Sequence, residues 1–206
     1  RVGIISQPDW KNPKDFKKLG KPRLFFSVSA GNADSLVNNY TPLLYPRKND
    51  VYSPGGVPGL RPDRAVITYS NIIRQQYSDS VIIAGGIEAS LRRFSEFDYL
   101  SNKVRQSIIS DAPIDLIVYG MGEIQIEEIA KRIASGEKVE DIRDIPGTVW
   151  KMSKGEWTET LANGSEFLSD FIELPSFEEV SKDKRKYAEA FRIIYENQCH
   201  VKGKTL

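Results

Sequence analysis

The chain has 206 residues, of which 40% are hydrophobic and 28% are charged, a composition typical of a globular protein with one sizeable core. Its 29 basic and 28 acidic residues give a net charge of +1, which argues against general binding to nucleic acid or to an anionic membrane. No apolar run approaches the roughly 20 residues that span a bilayer, and no signal-peptide pattern is visible.

The single cysteine, Cys199, excludes an internal disulfide and fits a reducing compartment, so we expect a cytoplasmic protein. The only histidine, His200, is its neighbour. Adjacent residues diverge too much to form a metal site alone, and no other Cys/His spacing completes one. We interpret the two residues as an ordinary helix-end pair and predict no metal site in this chain.

Short, uninterrupted apolar runs bounded by Gly or Pro predict buried strands. They cover residues 2–6, 24–30, 81–85 and 115–120. Helical periodicity lies between the later runs, over residues 62–77 and over residues 123–136, where Gly136 ends the apolar stripe. The alternation predicts an α/β fold, with a mostly parallel sheet covered by helices on both faces.

Three other segments complete the chain. Residues 41–60 are rich in Pro and Gly and predict a long loop, a class of segment that is often functional. Residues 148–160 are typical of a β-hairpin with a turn near Ser153. Residues 175–198 predict one long amphipathic helix, capped by Ser176 and Glu179, with Phe191 on its apolar face.

Two glycine-containing corners follow predicted strands. The first is Gly85 and Gly86, and the second is Gly120 and Gly122. Ligands of open parallel sheets bind outside the carboxyl ends of the strands, and glycine lets a bulky group approach the backbone. These corners are therefore candidate binding positions, although two ordinary strand-to-helix corners explain the pattern about as well.

A glutamate follows each corner and opens a helix: Glu88 after the first, Glu123 after the second. A carboxylate at that position competes with a phosphate for the helix N–H donors. Neither corner has the spacing of a nucleotide-binding loop. A small nucleotide-binding protein is thus the weakest of the functional interpretations.

Arg92 and Arg93 follow Glu88 by four and five residues. One of them is expected to pair with Glu88 across a helical turn. In the alternative interpretation, an arginine lies at the mouth of a crevice and faces an anionic ligand or a partner domain. Because His200 is the only imidazole, a Ser-His-Asp arrangement is improbable, and we predict no catalytic residue in this chain.

Several longer stretches closely resemble the N-terminal region of the YgiQ-type radical-SAM proteins, a family of uncharacterised function. They read RVGIISQPDW, LGKPRLFFSVSAGNADSLVNNYT, YSPGGVPGLRPDRA, GGIEASLRRFSEFDYLSNKVRQSI and YGMGE. The resemblance extends from Arg1 into the helix of residues 175–198. It implies a cobalamin-binding-like, flavodoxin-like α/β domain that precedes a radical-SAM barrel.

The resemblance also implies which cofactors belong elsewhere. The CxxxCxxC motif for a [4Fe-4S] cluster and S-adenosylmethionine is absent here and is expected in the full-length protein. About one strand and one helix of the family are expected ahead of Arg1, with any cobalamin ligand of the DxHxxG type among them. GGIE stands where cobalamin-binding relatives carry GG-Pro-His, and these departures argue against cobalamin binding.

We therefore expect residues 1–147 to form an α/β domain without its first strand, and residues 148–206 to form a hairpin and helix leading to the barrel. Without that strand, residues 2–6 either leave the sheet, pair with residues 24–30, or pair at an edge with a second copy. The predicted cofactor-binding residues are Gly85, Gly86, Glu88, Arg92, Arg93, Gly120, Gly122 and Glu123. The predicted function is an accessory domain that shapes the substrate or cofactor side of the barrel. The alternative is a non-catalytic scaffold in which residues 41–60 and 94–108 serve only interdomain packing.

Overall fold

The computed structural model describes residues 1–162, 171–198 and 204–206. Cys199 and His200, interpreted above as a helix-end pair, lie outside the described residues. The chain divides into two compact units, the first of residues 1–94 and 107–151 and the second of residues 95–106 and 152–206. The domain boundary after residue 147 stays a prediction.

Six strands and eight helices are present in the described residues. The strands are β1 (Phe25–Val28), β2 (Val81–Ala84), β3 (Glu96–Asp98), β4 (Lys103–Arg105), β5 (Leu116–Val118) and β6 (Thr148–Val149). The helices are α1 (Ser35–Asn39), α2 (Ala65–Gln76), α3 (Gly86–Leu91), α4 (Ile108–Asp111), α5 (Glu123–Ala134), α6 (Lys154–Ala162), α7 (Phe177–Lys182) and α8 (Lys184–Glu196). Short 3-10 helices cover Pro13–Lys17, Pro54–Gly56 and Val139–Asp141.

The first unit is built on a four-stranded sheet in the order β1-β2-β5-β6. The first three strands are parallel, and β6 runs antiparallel to β5. The predicted α/β class and the mostly parallel sheet are confirmed. Strands β1 and β6 are its edges, and pairing of an edge with a second copy stays a prediction.

The strand predicted over residues 2–6 is wrong. These residues form no strand, and the side chains of Val2 and Ile4 are 91% and 81% exposed. An apolar run adopts a strand only when a neighbouring strand takes its backbone hydrogen bonds. No described strand pairs with residues 2–6, and the segment lies outside the sheet.

Side chains alternate across the sheet and bury apolar surface on both faces. Ile82 and Ile117 lie in one cluster with residues of α2 and α4, whereas Ile83 and Leu116 lie in a second cluster with Ile129 of α5. The helices predicted over residues 62–77 and 123–136 are confirmed as α2 and α5. Helices cover both faces, and the carboxyl ends of β1, β2 and β5 meet at one edge.

The second unit contains the antiparallel pair β3–β4 and the last three helices. The hairpin predicted over residues 148–160 is wrong, because only Thr148–Val149 forms a strand and α6 follows it. Ser153 and Glu156 cap this helix reciprocally. The Ser153 N–H donates to Glu156 Oε2 at 2.6 Å, and the Glu156 N–H donates to Ser153 Oγ at 3.2 Å.

The single long helix predicted over residues 175–198 is two helices that meet at Asp183. Asp183 has extended backbone and its side chain accepts the N–H of Arg185 at 2.8 Å, which starts a new helix. The capping box of Ser176 and Glu179 is confirmed. The predicted apolar face is wrong at Phe191, whose side chain is 62% exposed. No helix among the described residues is long and apolar enough to cross a membrane.

Candidate functional site

The two glycine corners lie side by side at the carboxyl edge of the sheet. Ser90 of α3 joins them, because its hydroxyl donates to the Gly86 carbonyl at 2.8 Å and accepts the Gly120 N–H at 3.1 Å. Glycines 85, 86, 120 and 122 are thus held in one local structure. Sequence reasoning missed Ser90, although its position four residues after Gly86 is the spacing at which a serine bonds back along a helix.

The first corner is packed by the protein itself. Gly86 has a φ of +77°, and a Cβ built on it would lie 3.2 Å from Cβ of Ser29. A Cβ on Gly85 would lie 3.3 Å from the carbonyl oxygen of Val118. The absent side chains at this corner make room for neighbouring protein atoms. Binding of a cofactor by Gly85 and Gly86 stays a prediction.

The second corner is partly open. Gly120 has a φ of +72° and has open space where a Cβ would point, whereas a Cβ on Gly122 would collide with the side chain of Val118. Gly122 therefore permits close packing on β5. Gly120 is the corner glycine that faces free volume.

Glu88 is buried, with only 1% of its surface exposed. Its Oε2 accepts the N–H of Ser35 at 2.9 Å and contacts the Ser35 hydroxyl, while its Oε1 accepts the N–H of Val66 at 3.0 Å. Those N–H groups lie in the first turns of α1 and α2, where helices leave backbone donors unsatisfied. Burial raises the pKa of Glu88, and the hydrogen bonds from Ser35 and Val66 oppose that rise.

Arg92 is also buried, and its pairing differs from the prediction. Its Nε and Nη2 donate to Asp34 Oδ2 at 3.0 and 2.6 Å. The other oxygen, Asp34 Oδ1, accepts the N–H groups of Leu36 and Val37 and so caps α1. The expected pairing of an arginine with Glu88 is replaced by this contact, because Glu88 points toward the helix ends instead.

Arg93 is half-buried at the same edge of the sheet. Its guanidinium carbon lies 4.9 Å from the ring centre of Phe94 and 4.7 Å from that of Tyr119, and Nη1 donates to the Ser90 carbonyl. No acidic side chain among the described residues pairs with it. Burial lowers the pKa of this guanidinium. Arg93 is therefore a desolvated cation whose counter-charge does not come from the described part of the chain.

Glu123 begins α5 beside the second corner and is exposed. Met121 and Ile124, its neighbours, expose 83% and 81% of their surfaces. The second corner thus offers apolar groups and one carboxylate to its surroundings, with Arg93 close by through Tyr119 and Ser90.

Asp34, Ser35 and Asp63 were also missed by sequence reasoning. Ser35 accepts the Ala65 N–H at 3.1 Å, and Asp63 accepts hydrogen bonds from Asn39 and Tyr40. The signal for Asp34 was present, since an Asp before a short polar-apolar run is a typical N-cap. The partners 53 to 58 residues away carry no local signal.

Metal ligands do not cluster in the described residues: no three His, Cys, Asp or Glu side chains lie where they would hold an ion. This finding applies to residues 1–162, 171–198 and 204–206 alone.

Comparison with known proteins identifies close relatives. A UPF0313 protein of Methanosarcina mazei is 56% identical over 229 residues, covering 99% of this chain and 37% of the relative. One from Methanosarcina acetivorans is 57% identical over 99% of this chain and 30% of its own length, and one from Clostridium botulinum (strain Loch Maree) is 50% identical over 100% and 30%. No solved structure shows a significant match.

The chain spans about a third of the length of these curated relatives. The family model described as Radical SAM N-terminal matches residues 1–206. The resemblance to radical-SAM proteins is thereby confirmed over the whole chain. The sequence, the α/β fold and these matches agree, and the chain belongs to the Radical SAM N-terminal family.

Proposed function

We propose that this chain is the N-terminal accessory domain of a radical-SAM enzyme, and that Arg93 binds the anionic group of a ligand at the second glycine corner. The ligand class is a molecule that carries a carboxylate or a phosphate next to an apolar part. The family assignment and the greater length of the relatives support the first half of the proposal.

The guanidinium of Arg93, which pairs with no acidic side chain among the described residues, supports the second half of the proposal. A partly buried arginine that stacks on two aromatic rings attracts an anion more strongly than a solvated arginine does, because the surrounding dielectric is lower. Gly120 leaves free volume nearby, and the apolar groups of Met121 and Ile124 flank it.

The other predicted binding residues shape the protein around the site and do not contact the ligand in this proposal. Glu88 and Arg92 hold α1, α2 and α3 together, while Gly85 and Gly86 allow the tight first corner. Gly122 lets α5 approach β5, and Glu123 repels a second anion from the start of α5. Arg93 and Gly120 are left to touch the ligand.

The radical chemistry is proposed for the rest of the full-length protein. A [4Fe-4S] cluster and S-adenosylmethionine would bind there, and reductive cleavage of S-adenosylmethionine would generate the radical. The described residues of this chain offer no ligand set for the cluster. Cobalamin is not part of the proposal, because the sequence at the first corner departs from that of the cobalamin-binding relatives.

A scaffold without a ligand of its own is the second candidate. The internal use of Glu88 and Arg92 and the closed first corner favour it. In that case Arg93 would meet a carboxylate of the rest of the protein. Accessibility of Arg93 to small anions in the full-length protein separates the two functions.

The test uses thermal unfolding of the full-length protein with increasing inorganic phosphate or citrate. We expect saturable stabilisation of the wild type and its loss in Arg93→Met. Arg143→Met is the matched control, since Arg143 also stacks on an aromatic ring, 5.4 Å from that of Trp150. Equal stabilisation of wild type and Arg93→Met, or stabilisation of neither, contradicts anion binding and favours the scaffold.

A further inference from the structure

We propose that residues 42–60, here called the apolar loop, form the docking surface for the part of the polypeptide that lies beyond this region in the longer relatives. The inference rests on the accessory-domain half of the proposed function and is independent of anion binding at Arg93. The apolar loop takes no part in the anion site proposed at Arg93.

The apolar loop exposes an unusual density of large apolar side chains. They include Leu43 (78% exposed), Tyr45 (68%), Val51 (76%), Tyr52, Val57 and Leu60. Single exposed apolar residues are normal on a folded protein, whereas this segment of 19 residues exposes six of them together with Arg47 and Lys48, a composition that suits an interaction surface. Its only acidic residue, Asp50, is buried, so no exposed carboxylate interrupts the surface.

A buried polar cluster of Asp50, Ser53 and Arg61 holds the apolar loop in place. Asp50 and Arg61 are 4% and 7% exposed, with Oδ2 of Asp50 3.6 Å from Nη2 of Arg61. Ser53 Oγ donates to Asp50 Oδ2 at 2.7 Å, and the Asp50 N–H donates to the Gly56 carbonyl at 3.0 Å. Arg61 also donates to the carbonyl of Ala30, just after β1. The loop is therefore pre-ordered, which lowers the entropic cost of docking.

The tip of the loop shows the same fixation. The N–H of Thr41 donates to the Tyr45 carbonyl at 2.9 Å, and the N–H of Leu44 donates to the Thr41 carbonyl at 2.9 Å. Leu44 has a φ of +64°, a conformation that a branched side chain rarely adopts. This turn holds the side chains of Leu43 and Tyr45 outward. A costly backbone conformation that exposes apolar groups suits a contact surface.

The tethered remainder of the chain is the occupant that best fits this surface. This region covers only 30–37% of the relatives' length, so a large body of protein is covalently attached to it there. A tethered partner has an effective concentration of roughly millimolar, well above that of a second copy. A second copy is therefore the competing outcome of the test.

Photo-crosslinking of the full-length protein tests the assignment directly. p-Benzoylphenylalanine is placed at Tyr52 in one sample and at Leu19 in the control, because Leu19 is 58% exposed and is preceded by two lysines. We expect crosslinks within one molecule, from position 52 to peptides beyond residue 206, at several times the yield from position 19. Crosslinks between two molecules, or equal yields, overturn the proposal.

A charge substitution provides a second readout. Leu43→Asp with Val51→Asp should increase the rate at which limited proteolysis separates this region from the rest by about tenfold, whereas Leu19→Asp should not. Both sites are exposed, so the substitutions leave the core of the first unit intact. Unchanged cleavage rates contradict docking. Neither readout needs a cluster or a bound anion, so failure here is distinct from failure at Arg93.

Discussion

Glu88 Oε1 accepts the backbone N–H of Val66 at 3.0 Å, which ties the first turn of α3 to the first turn of α2. Oε2 of the same carboxyl group accepts the N–H of Ser35 in α1. One side chain therefore satisfies donors at the starts of two other helices. The Glu88 carboxyl group, which follows the first glycine corner, therefore connects α3 to α1 and α2.

Replacing Glu88 by alanine should destabilise the protein by about 2–4 kcal/mol, because two buried backbone donors lose their acceptor. Glu88→Gln should cost less, since its one amide oxygen still serves one donor. Urea unfolding followed by circular dichroism measures both changes. Glu128→Gln, at an exposed position of α5, is the control. Equal stability of Glu88→Ala and wild type would show that Glu88 does not stabilise the starts of α1 and α2.

The raised pKa of Glu88 has a consequence for stability as a function of pH. The folded protein holds this proton more tightly than the unfolded chain, whose glutamates titrate at about 4.5. Its contribution is therefore fully present below pH 4.5 and is lost as the pH rises through the folded-state pKa. The stability difference between wild type and Glu88→Gln should fall across that window. A difference that is flat, or that rises with pH, contradicts the burial argument.

Arg92 and Asp34 should show strong coupling in a double-mutant cycle. Arg92→Met leaves a buried carboxylate without its counter-ion and should cost about 3–5 kcal/mol. Asp34→Asn keeps a side chain that can cap α1. The double variant should be more stable than the sum of the single losses predicts. Additive losses would mean that the two charges do not interact.

The two positive-φ corner glycines should differ in their tolerance of alanine. Gly86 and Gly120 have φ values of +77° and +72°, so backbone strain of about 1–2 kcal/mol applies to both. Gly86→Ala adds a 3.2 Å contact with Ser29, whereas Gly120→Ala meets open space. We expect the larger loss of unfolding free energy at Gly86. The reverse order in denaturant unfolding contradicts the closed first corner.

Ser90→Ala should release the link between the corners. The Gly120 N–H loses its acceptor, and its hydrogen exchange should accelerate, with a loss of about 1 kcal/mol in stability. Ser135→Ala, which removes an exposed hydroxyl bonded to Arg132, is the matched control. Unchanged exchange at Gly120 would show that Ser90 does not hold the second corner.

Periodic patterns predicted the main elements, because α2 and α5 each bury one stripe and β1, β2 and β5 are short apolar runs. The hairpin prediction failed at Ser153 and Glu156, whose spacing is that of a capping box and was a readable helix signal. The strand at residues 2–6 failed because a strand depends on a partner that periodicity does not report.

The candidate site was harder to predict than the fold. Local spacing identified the two corners but favoured a pairing within α3 for Glu88, since an i, i+4 neighbour is visible in sequence. The partners Ser35 and Asp34 lie 53 and 58 residues from Glu88 and Arg92, and the fold alone brings them together. The position of Arg93 in the sequence suggested a binding role. Only the structure showed that no acidic side chain in the described part of the chain pairs with it.

Anaerobic reconstitution of the full-length protein with iron and sulfide shows whether this region belongs to a radical-SAM enzyme. We expect the absorbance of an iron–sulfur cluster and cleavage of added S-adenosylmethionine under reducing conditions, with the same cluster content in Arg93→Met. Absence of iron–sulfur absorbance from the wild-type protein would contradict the assignment of this chain as the accessory domain of a radical-SAM enzyme.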